Sequence, residues 1–316
     1  MTLAFTFPGQ GSQAVGMLAE LAAAQSQVRE TFDEASAAVG YDLWDLAQHG
    51  PEERLNATEQ TQPAMLAAGV AVARAWAARG GPRPALAAGH SLGEYAALVW
   101  AGSLDFADAV RVVAARGRFM QEAVPQGRGA IAALLGPDDV QAVEICARAS
   151  DTRTGSRVWA VNFNAPGQVA IAGHADAVER ALALARDAGA KRAVRLPMSV
   201  PVHCELMTPA MERLAAELAR ITVRAPAFPV VQNADNAVHD EPQAIRDALA
   251  EQLRRPVRWV AAIGRLRELG ADTIIEPGPG RILTGLNKRI DRALKTAAVH
   301  DVASLDAALA TLENAT

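Results

Sequence analysis

The sequence predicts an α/β protein with a largely parallel sheet, interrupted by one inserted βαββαβ unit. Three observations lead there. Short apolar runs that stop at glycine alternate with longer alanine-rich stretches of helical character, the alternation expected of a parallel sheet. Between about residues 127 and 196 the order changes to strand, helix, hairpin, helix, strand, which is the ferredoxin-like order. More α/β pattern follows that unit, so residues 1–126 and 197–316 are expected to pack as one large subdomain, with 127–196 as a small one. With 316 residues, half of them hydrophobic, the chain can bury a substantial core.

In chain order, the apolar run Leu3, Ala4, Phe5, Phe7 reads as a first strand, and TFPGQGSQAVG (6–16) puts a glycine turn at its end with a helix beyond. In PALAAGHSLGEYAALVWAG a strand near 84–89 leads into a helix from about 92. GAIAALLG is a strand and PDDVQAVEICARAS a helix; VWAVNFNAPGQVAIAG is a hairpin turning at Ala165-Pro166-Gly167. ADAVERALALARDAG is a helix stopped by Gly189, and AKRAVRLP is the last strand of the insert. Pro197 and Pro201 bracket an extended segment before the helix that begins in CELMTPAMERLAAEL, FPVVQN is strand-like, and a last long helix is expected to carry Lys288, Arg289, Arg292 and Lys295. The chain shows no internal repeat and no low-complexity linker.

Composition excludes several classes. A formal net charge of −4 argues against a nucleic-acid footprint, which needs clustered excess lysine and arginine. Cys146 and Cys204 stand far apart without paired spacing, so neither a disulfide framework nor a metal site is expected. The N-terminus lacks a basic region followed by an apolar one, and no apolar run approaches the roughly 18 residues that span a bilayer. A cytoplasmic protein without membrane segments is the expectation.

The strongest chemical signal is GHSLG at 89–93, a G-x-S-x-G with strand before and helix after. Its glycines allow a sharp turn that presents Ser91 at the head of a helix. There the N–H of Leu92 points towards an oxyanion formed on any carbonyl that Ser91 attacks. A serine needs a base, and of six histidines His203 stands out because it lies at an element end. His90 reads as a pocket wall; His49, His239 and His300 fall in polar, loop-like contexts. The group that orients the imidazole is left open: Asp235 in an unusual chain order, or a backbone or amide carbonyl. The opening turn is not a phosphate cradle. GQGSQAVG has no Lys-Ser/Thr pair, and Ala14 stands where the third glycine of G-x-G-x-x-G belongs.

Taken together, FPGQGSQ, TQPA (61–64), AGHSLGEYAAL, RGRFMQEAVP (116–125), VNFNAPGQVAIAG (161–173), VPVHCELM (200–207) and EPGPGRILTGL (276–286) resemble the malonyl-CoA:acyl carrier protein transacylases of fatty-acid synthesis over essentially the whole chain. The resemblance implies an α/β-hydrolase-like core with a ferredoxin-like insert. It also implies ping-pong transfer of a malonyl group from malonyl-CoA through Ser91 to a phosphopantetheine thiol, with His203 as base and acid and no permanently bound cofactor. It assigns Arg116, rather than Arg111 or Arg118, to the malonyl carboxylate, Gln252 to orienting His203, and the N–H of Gln10 to the oxyanion beside that of Leu92. Val202 stands where the family usually has Ser or Phe, a position that bears on acyl selectivity. A free-standing acyltransferase of a polyketide pathway and a serine thioesterase are the competing readings. The implied partner is an acidic acyl carrier protein, and Lys191, Arg192, Lys288 and Arg289, with Arg292 and Lys295, are the candidate docking cations on a monomer.

Overall fold

A computed structural model describes residues 1–125, 127–198 and 200–313. The residue that would end the first large segment, Gln126, the Ser199 of the proline-bracketed stretch, and residues 314–316 lie outside the described residues.

The strands among them form two sheets. β1 (Leu3–Phe7), β2 (Leu86–Gly89), β7 (Val230–Val231), β8 (Thr273–Pro277) and β9 (Lys295–Val299) make a five-stranded sheet in the order β7-β2-β1-β8-β9. Every pairing in it is parallel, as in Phe5 against Ala87 on one side and Ile275 on the other. β1 and β8 are buried at every position, which is why they read as continuous apolar runs rather than alternating ones. Helices cover both faces. The 58–78 helix, buried along most of its length, packs its Trp76 edge-on against Phe5 in the main core, which also holds Phe7. Trp259, Ile263 and Leu266 fill a second cluster with Ala88, Val231 and Ile274.

β3 (Gly129–Leu135), β4 (Val158–Ala165), β5 (Gln168–His174) and β6 (Arg192–Arg195) make an antiparallel sheet in the order β4-β5-β3-β6. This is the ferredoxin-like order. Its helices Asp139–Ala149 and Ala175–Asp187 close a core of their own, with Leu134, Ile145, Phe163 and Leu182. Asp138 caps the first of these helices in a capping box with Gln141, as the DDVQ spacing allows.

One expectation is corrected. The helix at 282–290 ends at Ile290, Arg292 follows in a loop, and Lys295 opens β9, so Lys288, Arg292 and Lys295 do not share a helix face. Asp291 ends the helix: its backbone is extended, and its side chain accepts from the N–H of Ala293, a local bond that competes with another helical turn.

Candidate active site

The carboxyl ends of β1 and β2 set the site. The N–H of His90 donates to Phe7 O at 3.0 Å, so the chain leaving β2 is tied to the end of β1 before it turns. The turn then needs glycine on both sides. A Cβ on Gly89 would lie 1.9 Å from the carbonyl carbon of Gly93, and one on Gly93 would lie 2.1 Å from Phe7 O. Between them Ser91 adopts φ 51°, in the left-handed region that a side chain other than glycine's makes costly. Asn233, just beyond β7, braces the bend: its Oδ1 accepts from the N–H of Ser91 at 2.7 Å, and its Nδ2 donates to Gly89 O at 2.7 Å.

His203 also has positive φ, 61°, and is buried. Its Nδ1 lies 2.8 Å from the backbone carbonyl of Gln252, an acceptor only, so Nδ1 carries the hydrogen and Nε2 is left with its lone pair. That Nε2 lies 2.7 Å from Ser91 Oγ, from which it accepts. Of the orienting groups left open by the sequence, the geometry therefore brings a main-chain carbonyl to the imidazole. Asp235 is engaged elsewhere, with His239 and the N–H of Ala237. Burial, and next the Arg116 cation, push the His203 pKa down to about 3, against the opposing bond to the Gln252 carbonyl. The imidazole is thus neutral at neutral pH and available to take a proton.

Arg116 is almost fully buried. Its Nη1 donates to Gln62 Oε1 at 2.8 Å, and its Nη2 to Gln252 Oε1 at 2.9 Å and Ser91 Oγ at 3.3 Å. The 106–123 and 58–78 helices come together here because residue 117 is glycine: a Cβ there would stand 2.6 Å from Glu59 Cα. Arg111 pairs with Asp108 at the surface, and Arg118 lies over the Phe119 ring, so of the three arginines Arg116 faces the serine.

The opening glycine turn reaches the same place. A Cβ on Gly9 would lie 2.5 Å from His90 O, which shows how closely the 8–11 loop presses on the elbow, and Gly11 takes φ 111°. Among the described residues neither the N–H of Gln10 nor that of Leu92 donates to a protein acceptor. An apolar-lined cleft of about 270 Å³ opens beside the elbow, bordered by Gln10, His90, Asn164, Met198 and Val202 on the core and insert sides. His90 is indeed a wall: its Nε2 donates to Asn164 Oδ1 at 2.8 Å, and its ring meets that of Trp259.

Three participants escaped sequence reasoning. Gln62, Glu94 and Asn233 each hydrogen-bond to a residue of the site. A local signal existed for Glu94, the one acid in the otherwise apolar helix GEYAALVW. No cluster of histidine, cysteine, aspartate and glutamate that could hold a metal occurs among the described residues.

The chain that carries this site has relatives by sequence. The family model described as acyl transferase domain matches residues 4–305. The malonyl CoA-acyl carrier protein transacylase of Escherichia coli (strain K12) is 56% identical over 306 residues, 97% of this chain and 98% of that one. The chain belongs to the malonyl CoA-acyl carrier protein transacylases. The transacylase of Bacillus subtilis (strain 168) is 43% identical over 98% of this chain and 97% of its own. Among solved structures, the transacylase from Coxiella burnetii has a TM-score of 0.96 at 50% identity, covering 99% of this chain and 98% of that one. Another transacylase, solved in complex with a type II polyketide-synthase acyl-carrier protein, has a TM-score of 0.95 at 52% identity, with 98% and 100% covered. No helix among the described residues is long and apolar enough to cross a membrane.

Proposed function

We propose that the protein transfers the malonyl group of malonyl-CoA to the phosphopantetheine thiol of an acyl carrier protein in fatty-acid synthesis. The observation that carries this reading is a nucleophile with its base and a buried guanidinium both within hydrogen-bonding distance of it. Ser91 Oγ attacks the thioester carbonyl while His203 Nε2 takes its proton; the N–H groups of Gln10 and Leu92 receive the oxyanion. Collapse of the tetrahedral adduct breaks the C–S bond, and the imidazolium returns the proton to the departing CoA sulfur. The carrier thiol then repeats the sequence in reverse, His203 taking its proton and giving it back to Ser91.

Acylation removes the Ser91 hydroxyl from Arg116 and leaves an N–H on Nη2, beside the second N–H of Nη1, to hold the malonyl carboxylate in a two-point contact. A thioesterase has no use for such a cation. The transfer needs no bound cofactor in this scheme, and the enzyme acts as a monomer in the cytoplasm.

Carrier docking is assigned to Lys191, Arg192, Lys288 and Arg289. None has an acidic side chain within 4 Å among the described residues, whereas most surface arginines elsewhere are paired. The two pairs also lie along one line of contacts. A Cβ on Gly136 would lie 3.1 Å from the backbone N of Lys191; Gly136 donates to Gly167 O, and the neighbouring Pro166 O accepts from Arg289 at 3.2 Å. The polyketide-carrier complex of a similar transacylase favours a second acceptor class.

Incubation with radiolabelled malonyl-CoA, with and without carrier proteins of both classes, tests this reading. Label should appear on the enzyme, then on the carrier, with little free malonate. Rapid release of malonate would sink transfer as the function, and preference for the polyketide carrier would reassign the pathway.

A further inference from the structure

Glu94 is fully buried, yet among the described residues it makes no ion pair. A carboxyl group in that setting is costly unless hydrogen bonds replace the water it has lost. Its Oε2 accepts from Gln252 Nε2 at 2.7 Å and from the N–H of Asn233 at 2.9 Å. Gln252 Nε2 also donates to Ser91 O at 3.0 Å. Both partners of that nitrogen are acceptors only, so the amide has one favourable orientation, with its oxygen turned to Arg116 Nη2. Reversed, the amide would set oxygen against carboxyl and NH2 against guanidinium. Glu94 Oε2 and the Ser91 carbonyl together hold the amide in that orientation.

We propose that Glu94 is a positioning residue of the transfer reaction: by fixing the Gln252 amide it fixes the Arg116 guanidinium beside Ser91, and so sustains selectivity for a carboxylated acyl group. It does this without touching Ser91 Oγ or the acyl pocket itself. The role rests on the malonyl-transfer reading proposed above.

The test compares malonyl-CoA with acetyl-CoA, whose transfer does not use the guanidinium. Glu94→Met keeps length and removes the acceptor; the malonyl-to-acetyl ratio of kcat/KM should fall at least about tenfold, the loss of one hydrogen bond to a charged group, chiefly through KM. Glu94→Gln, whose amide oxygen can accept both bonds, should restore the ratio to within about threefold of wild type. Equal loss of both activities in Glu94→Met, an unchanged ratio, or a Glu94→Gln enzyme as unselective as Glu94→Met would each overturn the role. If Glu94→Met does not fold, Gln252→Met removes the relay from the other end and should lower the same ratio; no change there also overturns it. Wild type run alongside separates the two claims: failure to label the carrier would sink the proposed function, whereas a normal wild type with an unchanged variant ratio sinks only this role.

Discussion

Ser91, His203 and Arg116 show how position sets chemistry. An exposed histidine titrates near 6.5, but burial and the neighbouring Arg116 cation bring His203 to about 3. The sign for catalysis follows: the base form persists as pH falls, so the rate of Ser91 acylation by malonyl-CoA should stay flat from pH 8 to about pH 5. A rapid-quench pH series that bends near 6.5 would mean an unperturbed base. The same depression costs stability on the acid side. Below pH 6.5 the unfolded chain takes a proton on this imidazole and the folded chain does not, so stability drops as pH falls from 6.5 towards 3. Arg116 is the second case, a buried cation whose hydrogen bonds go to neutral amides and a hydroxyl. Arg116→Ala should lower kcat/KM for malonyl-CoA by roughly 10²–10³-fold, the cost of losing one member of a buried charge pair, and lower acetyl transfer far less. Parallel assays with the two thioesters decide it; an equal loss would make the residue structural.

At the scale of elements, the loop after β1 and the turn after β2 are one construction. Gly9 is where they touch, and Gly9→Ala should push the Gln10 N–H away from the oxyanion, since the new methyl meets backbone 2.5 Å away. The loss of one oxyanion donor predicts a drop in kcat of about 10²-fold with KM little changed, measurable by steady-state kinetics. A variant with kcat intact would show that Gln10 is not a donor. The elbow was legible because everything that shapes it, strand, glycines and helix, is local in the chain. So was the insert, whose strand and helix periods are clean. The rest of the site joins residues 62, 94, 116, 233 and 252 from separate elements, and no spacing rule connects them. Resemblance to known transacylases supplied Arg116 and Gln252; Gln62, Glu94 and Asn233 act through hydrogen bonds that only the folded arrangement reveals. The overlong helix at the end has the opposite cause. Lys288, Arg292 and Lys295 recur at helical intervals, but surface charge at such spacing says little where the chain has its own stop signal in Asp291.

For the whole molecule, the parallel sheet and the ferredoxin-like insert meet at the cleft, and Arg289 straps one to the other by donating to Gln168 Oε1 and Pro166 O. Docking of an acidic carrier at this mouth should be electrostatic and weakened by salt. Arg192→Glu with Lys288→Glu should raise KM for the carrier about tenfold or more. Acylation by a short malonyl thioester without CoA phosphates should remain within about twofold of wild type. An unchanged carrier KM would place the docking face elsewhere. The left-handed backbone at Ser91 and His203 has a wider meaning. Each such residue holds a conformation that costs on the order of 1–3 kcal/mol and is maintained by its surroundings. Selection for a robust fold and selection for acyl transfer therefore pull in opposite directions at these two positions. In a descendant released from the reaction, nothing in the chemistry would any longer hold a serine and a histidine in a backbone conformation that glycine adopts freely.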